Sequence, residues 1–312
     1  MPESASRRWP SARLGAAIAC LLIAAAACGT DDGPPSVGGK AYSGFIGASE
    51  FVVGENRFPF ALVSVDGEEL EDARVRVRFF SLEGRTAELV AEEPAEWRTI
   101  QGETPHAHPD GETHVHLDFR GVYVVDAVVL PHPGIWAAEF DLSGTYGDGP
   151  SVTSAAFNVS AGPTAPGVGE RVPATENLTI HDVASFAELS TRAVEDDMHE
   201  LSVAQALDSG NPFVVVFASP AFCVSAMCGP VTDTIAAVHE RFRGRAAFIH
   251  IEPWDLEEAR NEGRLVPAPV MDEWRLPSEP WTFVVGADGR VVKRFEGLVT
   301  GDEVAAALEP LL

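Results

Sequence analysis

Cys223 and Cys228 are the residues of this 312-residue chain best suited to covalent chemistry. A thiolate is the nucleophile of thiol–disulfide exchange and a soft ligand for metals such as Cu(I). The chain has four cysteines. Cys20 and Cys28 lie at an N-terminal apolar stretch, which leaves Cys223-Val-Ser-Ala-Met-Cys228 as one isolated pair. Its spacing limits what the pair can do. Residues five apart in a regular helix are separated by about 7.5 Å along the axis, beyond disulfide range. A bridge therefore needs Cys223 in a loop and Cys228 near the N-cap of a helix starting around Gly229-Pro230. Amide groups there can hold a thiolate. Redox exchange, soft-metal binding and a purely structural bridge all remain open on these residues.

A second cluster holds four of the nine histidines: His106-Ala-His108-Pro-Asp-Gly-Glu-Thr-His114-Val-His116. Pro109-Asp-Gly111 signals a turn. A loop over 109–113 would oppose His108 to His114 and His106 to His116. Alternate strand residues share a face, so all four imidazoles could point one way, with Asp118 extending the row. Such a face suits Zn²⁺ or Cu²⁺; the competing reading is a solvated hairpin. His250 falls inside an apolar strand and reads as a core residue.

The first 27 residues differ from the rest. Arg7, Arg8 and Arg13 precede an apolar run from Leu14 to Ala27. That run is shorter than the roughly 20 residues a spanning helix needs and fits an export signal. Ala25-Ala26-Ala27-Cys28-Gly29 resembles the lipobox of bacterial lipoproteins, which implies a lipid on Cys28 and anchoring to a membrane in the cell envelope. An ordinary cleavable signal is the alternative. The net charge of −25 becomes two units more negative without Glu3 and the three arginines. That balance excludes nucleic acid as a partner and keeps the head off anionic lipid.

Composition divides the remainder. A Gly-, Pro- and Asp-rich tether is expected over 28–40 and a Pro/Gly linker over 163–176. Between them, residues 41–162 carry short strand patterns: Phe60–Val65, Val75–Phe79, Val122–Val129, Trp136–Phe140 and Ser154–Val159. Turn signals separate these runs, which predicts an immunoglobulin-like β-sandwich. Residues 177–312 change character. Val183–Leu207 reads as mostly helical, and Pro212–Phe217 as a strand buried on both faces. A helix with Val231, Ile235, Val238 and Phe242 on one stripe follows the Cys loop. Ala246–Ile251 is a further strand, Trp281–Val285 and Val291–Phe295 form a hairpin, and a last helix covers 301–311.

Strand, Cys loop, helix, strand, X-Pro, hairpin, helix is an order that resembles the thioredoxin superfamily. Pro280-Trp-Thr-Phe-Val-Val-Gly-Ala-Asp-Gly-Arg-Val resembles the proline strand and hairpin of its membrane-tethered members. The fold class expected is thus an α/β thioredoxin-like C-terminal domain after an all-β immunoglobulin-like sandwich. The resemblance implies that Pro280 is a cis-proline beside the active-site cysteine and that Glu279 faces the pair. A carboxylate there would raise a thiol pKa or offer a metal ligand. The family uses Cys-x-x-Cys, whereas four residues separate Cys223 from Cys228 here. The resemblance implies thiol–disulfide exchange, with Cys223 attacking and Cys228 resolving, and exported protein thiols or a metalloprotein as partner. It requires no cofactor. Copper or zinc handling for metalloprotein assembly is the alternative, along with a binding module holding a structural disulfide. Peroxidase activity is disfavoured because Pro220 stands where peroxiredoxins place Thr or Ser.

Overall fold

In the computed structural model, residues 36–37, 40–84, 86–100, 106–107, 113–114, 120–143, 152–194 and 196–312 are described. The expected signal segment over 1–27, Cys28 and the start of the expected tether lie outside them. Among the described residues, no helix is long and apolar enough to cross a membrane.

The N-terminal part is built by strands that alternate buried and exposed positions. They are β1 (Ser36–Val37), β2 (Lys40–Ile46), β3 (Phe51–Val52), β4 (Gly54–Ser64), β5 (Val75–Glu83), β6 (Thr86–Thr99), β7 (His106–Ala107), β8 (Thr113–His114), β9 (Gly121–Leu130), β10 (Gly134–Asp141) and β11 (Val152–Ser160). In β5, Val75, Val77 and Phe79 are buried while Arg76 points outward, the period of a half-buried strand. Nine strands make one sheet in the order β1-β2-β4-β9-β6-β5-β10-β11-β3. Its inner face holds an aromatic cluster, with Phe58 against Phe79 and Phe60 against Tyr123 and Phe140.

β6 explains why this is one curled sheet and not two packed ones. Residues 86–95 pair with β5, with Val90 skipped at a bulge, and Glu96–Thr99 then pair with β9. One long strand therefore carries the ladder across what would be the gap between sandwich layers. Gly121 allows the change of partner, since a Cβ there would lie 2.6 Å from the Arg98 carbonyl oxygen.

The C-terminal part forms a four-stranded sheet, β13-β12-β14-β15, from β12 (Phe213–Phe217), β13 (Ala247–Ile251), β14 (Trp281–Val285) and β15 (Val291–Glu296). β12 is parallel to β13 and antiparallel to β14. Every residue of β12 is buried because both its faces are covered. One side packs on α2 (Cys228–Phe242) and α5 (Gly301–Leu308). The other packs around Trp274, Phe217 and Phe283, below α1 (Val203–Ser209) and α4 (Pro269–Glu273). α3 (Leu256–Glu262) follows β13 and closes at Gly263 in the left-handed region (φ 62°).

These observations correct the expected fold class. The chain is mostly β, only 21 % helical, and no clear thioredoxin-type α/β fold is formed. The immunoglobulin-like sandwich is replaced by the curled sheet that β6 makes continuous. The physical reason is plainest over 183–207. The expected helix is divided into two short 3₁₀ turns and the start of α1, because Ser185, Asp196 and Ser202 each sit at an N-cap and restart the chain.

Residues 34–312 group into one unit, and their two parts share apolar packing. Ile100, Val122 and Val124 belong to the same cluster as Leu298, Val299 and Phe295. Arg57 on β4 reaches Glu303 and the Leu298 carbonyl on α5 and its approach. The expected linker is pinned along the β15 hairpin, with Gly169 N–H on Val291 O and Val172 N–H on Gly289 O. Gly297 completes the junction. It has φ 72°, and a Cβ would collide with the Gly47 carbonyl oxygen and lie 3.5 Å from Met227 Sδ.

Candidate functional site

The end of β12 delivers the chain into the loop that carries the thiols. His250 on β13 steadies this exit, its Nε2 lying 2.8 Å from the Ala218 carbonyl oxygen. Thr191 steadies the next turn, accepting the Ala221 N–H at 3.1 Å through Oγ1, and donates that hydroxyl to Glu252. The loop then turns at Ala226, a non-glycine residue at φ 61°. That conformation costs about 1 kcal/mol and is held by the contacts on either side. α2 begins at Cys228, where Thr232 donates its hydroxyl back to the Cys228 and Gly229 carbonyls.

The two cysteines are free thiols in different surroundings. Cys223 is half-buried; Cys228 is completely buried. The Cys228 N–H donates to Cys223 Sγ at 3.1 Å, so the first amide of α2 is aimed at the outer sulfur. The Cys223 thiol is lowered from its ordinary value chiefly by its hydrogen bond with the Cys228 side chain, against the opposing effect of burial. The Cys228 thiol is pushed well up, first by burial and then by the neighbouring sulfur and carboxylate. The pair thus divides into a half-buried sulfur whose ionisation is favoured and a buried one whose ionisation is opposed.

Glu279 closes the site from the start of β14. The Glu279–Pro280 peptide bond is cis, and the carboxyl turns toward the loop. Oε1 accepts the Val224 N–H at 2.9 Å. Oε2 accepts from Cys228 Sγ and lies 3.7 Å from Cys223 Sγ. The donor atoms of Cys223, Cys228 and Glu279 all lie within 4.8 Å of one another, an arrangement able to hold a thiophilic cation. Beside the loop, a cleft of about 380 Å³ is lined by Phe45, Phe60, Val122, Met227 and Leu298.

The histidine cluster has a different register from the expected one. β7 and β8 pair His106 with His114 and Ala107 with Thr113, two residues away from the predicted alignment. His108 and His116 lie outside the described residues. A second acidic cluster, Asp197, His239 and Glu240, is already paired with Arg243 through both carboxylates.

Sequence reasoning missed the buried polar group behind the loop. His199 Nε2 and His250 Nδ1 are 3.1 Å apart, and Glu252 accepts from the Thr191 backbone and hydroxyl at 2.6 and 2.8 Å. Partners some 50 to 60 positions apart leave no local pattern, so no spacing rule finds them. Comparison with protein-family models, curated proteins and solved structures finds no match to this chain.

Proposed function

We propose that this protein carries out thiol–disulfide exchange through Cys223 and Cys228, on protein thiols outside the cytoplasm, held to a membrane by a lipid on Cys28. The observation that carries the reading is the asymmetry of the pair. The half-buried Cys223 sulfur accepts the Cys228 amide, while Cys228 is fully buried behind it. Exchange needs one thiolate that meets the substrate and a second thiol within reach to release it. The apolar cleft next to Met227 leaves room for the chain bearing the substrate disulfide. The anchoring half of the proposal rests on the lipobox-like Ala25–Gly29 and the short apolar run before it.

The test uses the reduced protein and a small disulfide. Cys228→Ser should trap a mixed disulfide on Cys223, visible as a mass adduct, and Cys223→Ser should form none. Absence of an adduct in both variants and in the wild type would sink the exchange reading. A second reading, soft-metal handling, is favoured by the convergence of two thiols and a carboxylate. Stoichiometric retention of Zn²⁺ or Cu(I) by the reduced protein, lost in Cys223→Ser, is the outcome that would select it.

A further inference from the structure

Glu279 engages both sulfurs and the loop backbone together. Oε2 receives the S–H of Cys228, and Oε1 is fixed by the Val224 amide at 2.9 Å. The residue is only 8 % exposed. The titratable groups facing it are the two thiols, one from the loop and one from the first turn of α2. Its other neighbours are neutral: the Val224 N–H and the Ser225 hydroxyl, which reaches the Glu279 carbonyl at 3.5 Å. Among the described residues, no lysine or arginine pairs with this carboxylate.

A fully buried thiol is a poor nucleophile because water cannot take its proton, and burial favours the neutral form. Cys228 must nevertheless attack if exchange is to finish. Resting on the exchange reading above, we infer that Glu279 is the proton acceptor that activates Cys228 for the ring-closing step. The Cys223 thiolate first attacks a substrate disulfide RS–SR′, forming Cys223–S–S–R and releasing R′S⁻. The Cys228 proton then passes to Glu279 Oε2. The Cys228 thiolate attacks Cys223 Sγ and breaks the Cys223–SR bond, which releases RS⁻. The substrate disulfide gains two electrons, the protein dithiol becomes a disulfide, and Glu279 returns its proton to a departing thiolate. In the opposite direction the protonated Glu279 supplies the proton that Cys228 needs as it leaves. Glu279 touches a reacting atom and is in this sense a catalytic residue.

The experiment mixes the reduced full-length protein with glutathione disulfide, quenches with acid at successive times and weighs the species. In the wild type the glutathione adduct should close quickly, at a rate with little dependence on pH near neutrality. In Glu279→Gln the first attack should persist, the adduct should accumulate, and closing should slow by about a hundredfold. Its rate should then rise about tenfold per pH unit, as for a thiol ionising unaided. Gln keeps an oxygen for the Val224 amide, so a merely structural role predicts no change in that profile. Glu279→Asp should recover part of the rate. Closing in Glu279→Gln at the wild-type rate and pH profile overturns the inference. So does a wild-type rate that itself rises tenfold per unit, a result that needs no variant to fold. If the wild type forms no adduct on Cys223, the exchange reading falls and this inference with it, an outcome distinct from the other two.

Discussion

Glu252 shows how a single carboxyl can set the pH response of a fold. It sits just after β13, buried, with Oε1 held by the Thr191 amide and hydroxyl. Burial pushes its carboxyl up to about 7, against the opposing pull of the Ser219 and Thr191 hydroxyls and the Thr191 amide. Between its ordinary value of 4.5 and about 7, the folded chain holds a proton that the unfolded chain releases. Stability from this group is therefore complete at low pH and is lost as pH rises through that window, by on the order of 3 kcal/mol. Glu252→Gln keeps the acceptor for Thr191 and cannot ionise. The variant should match the wild type in urea unfolding near pH 5 and exceed it near pH 8; equal stability at both would refute the assignment. Nothing in the local sequence marks Glu252 as special. Its environment is made by Thr191 and Ser219 from elsewhere in the chain, whereas Glu279 was readable because it immediately precedes Pro280.

At the scale of elements, the ion-pair group between β4, β6 and α5 decides how the strands meet the last helix. Arg57 Nε donates to Glu303 Oε1 at 2.7 Å, and Arg98 Nη1 approaches the same oxygen at 2.9 Å. Glu303 also forms the capping box of α5 with Thr300, so one side chain both starts a helix and binds two strands. Burial pushes its carboxyl up, but the guanidiniums and the Thr300 amide outweigh this and hold it below its ordinary value. Removing Arg57 leaves Glu303 with Arg98 as its remaining cation and takes the donor from the Leu298 carbonyl, a loss of charge-assisted hydrogen bonds that costs about 2 kcal/mol. Arg57→Ala should lower the urea midpoint accordingly, with Arg57→Lys losing less; no loss in Arg57→Ala would contradict the role. Single elements were legible wherever one pattern governed them. Phe213–Phe217, the α2 stripe and the alternation of Val75–Phe79 all appear where their patterns put them. β6 escaped notice because its fourteen residues are mostly half-buried or exposed, with acids in the sequence and no apolar alternation. It is a strand because two neighbours offer it hydrogen bonds, which its own residues do not announce. The 163–176 segment escaped for the converse reason. Pro and Gly exclude a helix there, and they say nothing against the backbone bonds it makes to the β15 hairpin.

At the scale of the molecule, the curled sheet and the four-stranded sheet share a hydrophobic cluster and a charged junction. Arg294 pairs with Glu50, and Glu296 accepts from both Ser49 and Ser278. The N-terminal part thereby touches β15, the hairpin partner of the strand that follows Pro280. The acidic surface and the proposed anchor belong to this scale too. A head of net charge near −25 on a lipid should stand away from an anionic bilayer while remaining tied to it. Cys28→Ala should shift the protein from the detergent phase to the aqueous phase on phase separation, with exchange by the purified protein intact. An unchanged partition would remove the lipid from the proposal.

Gly297 ties these scales together. Its N–H donates to the Pro280 carbonyl at 3.0 Å, its α-carbon faces Gly47 of the curled sheet, and Met227 of the thiol loop lies against it. A single hydrogen atom is therefore the spacer between three independent segments. Any larger substituent would act as a shim against the Gly47 carbonyl, while Met227 would stand at ordinary contact distance, 3.5 Å. The fit of the curled sheet against the strand pair behind the thiol loop is machined at a residue that takes no part in the chemistry.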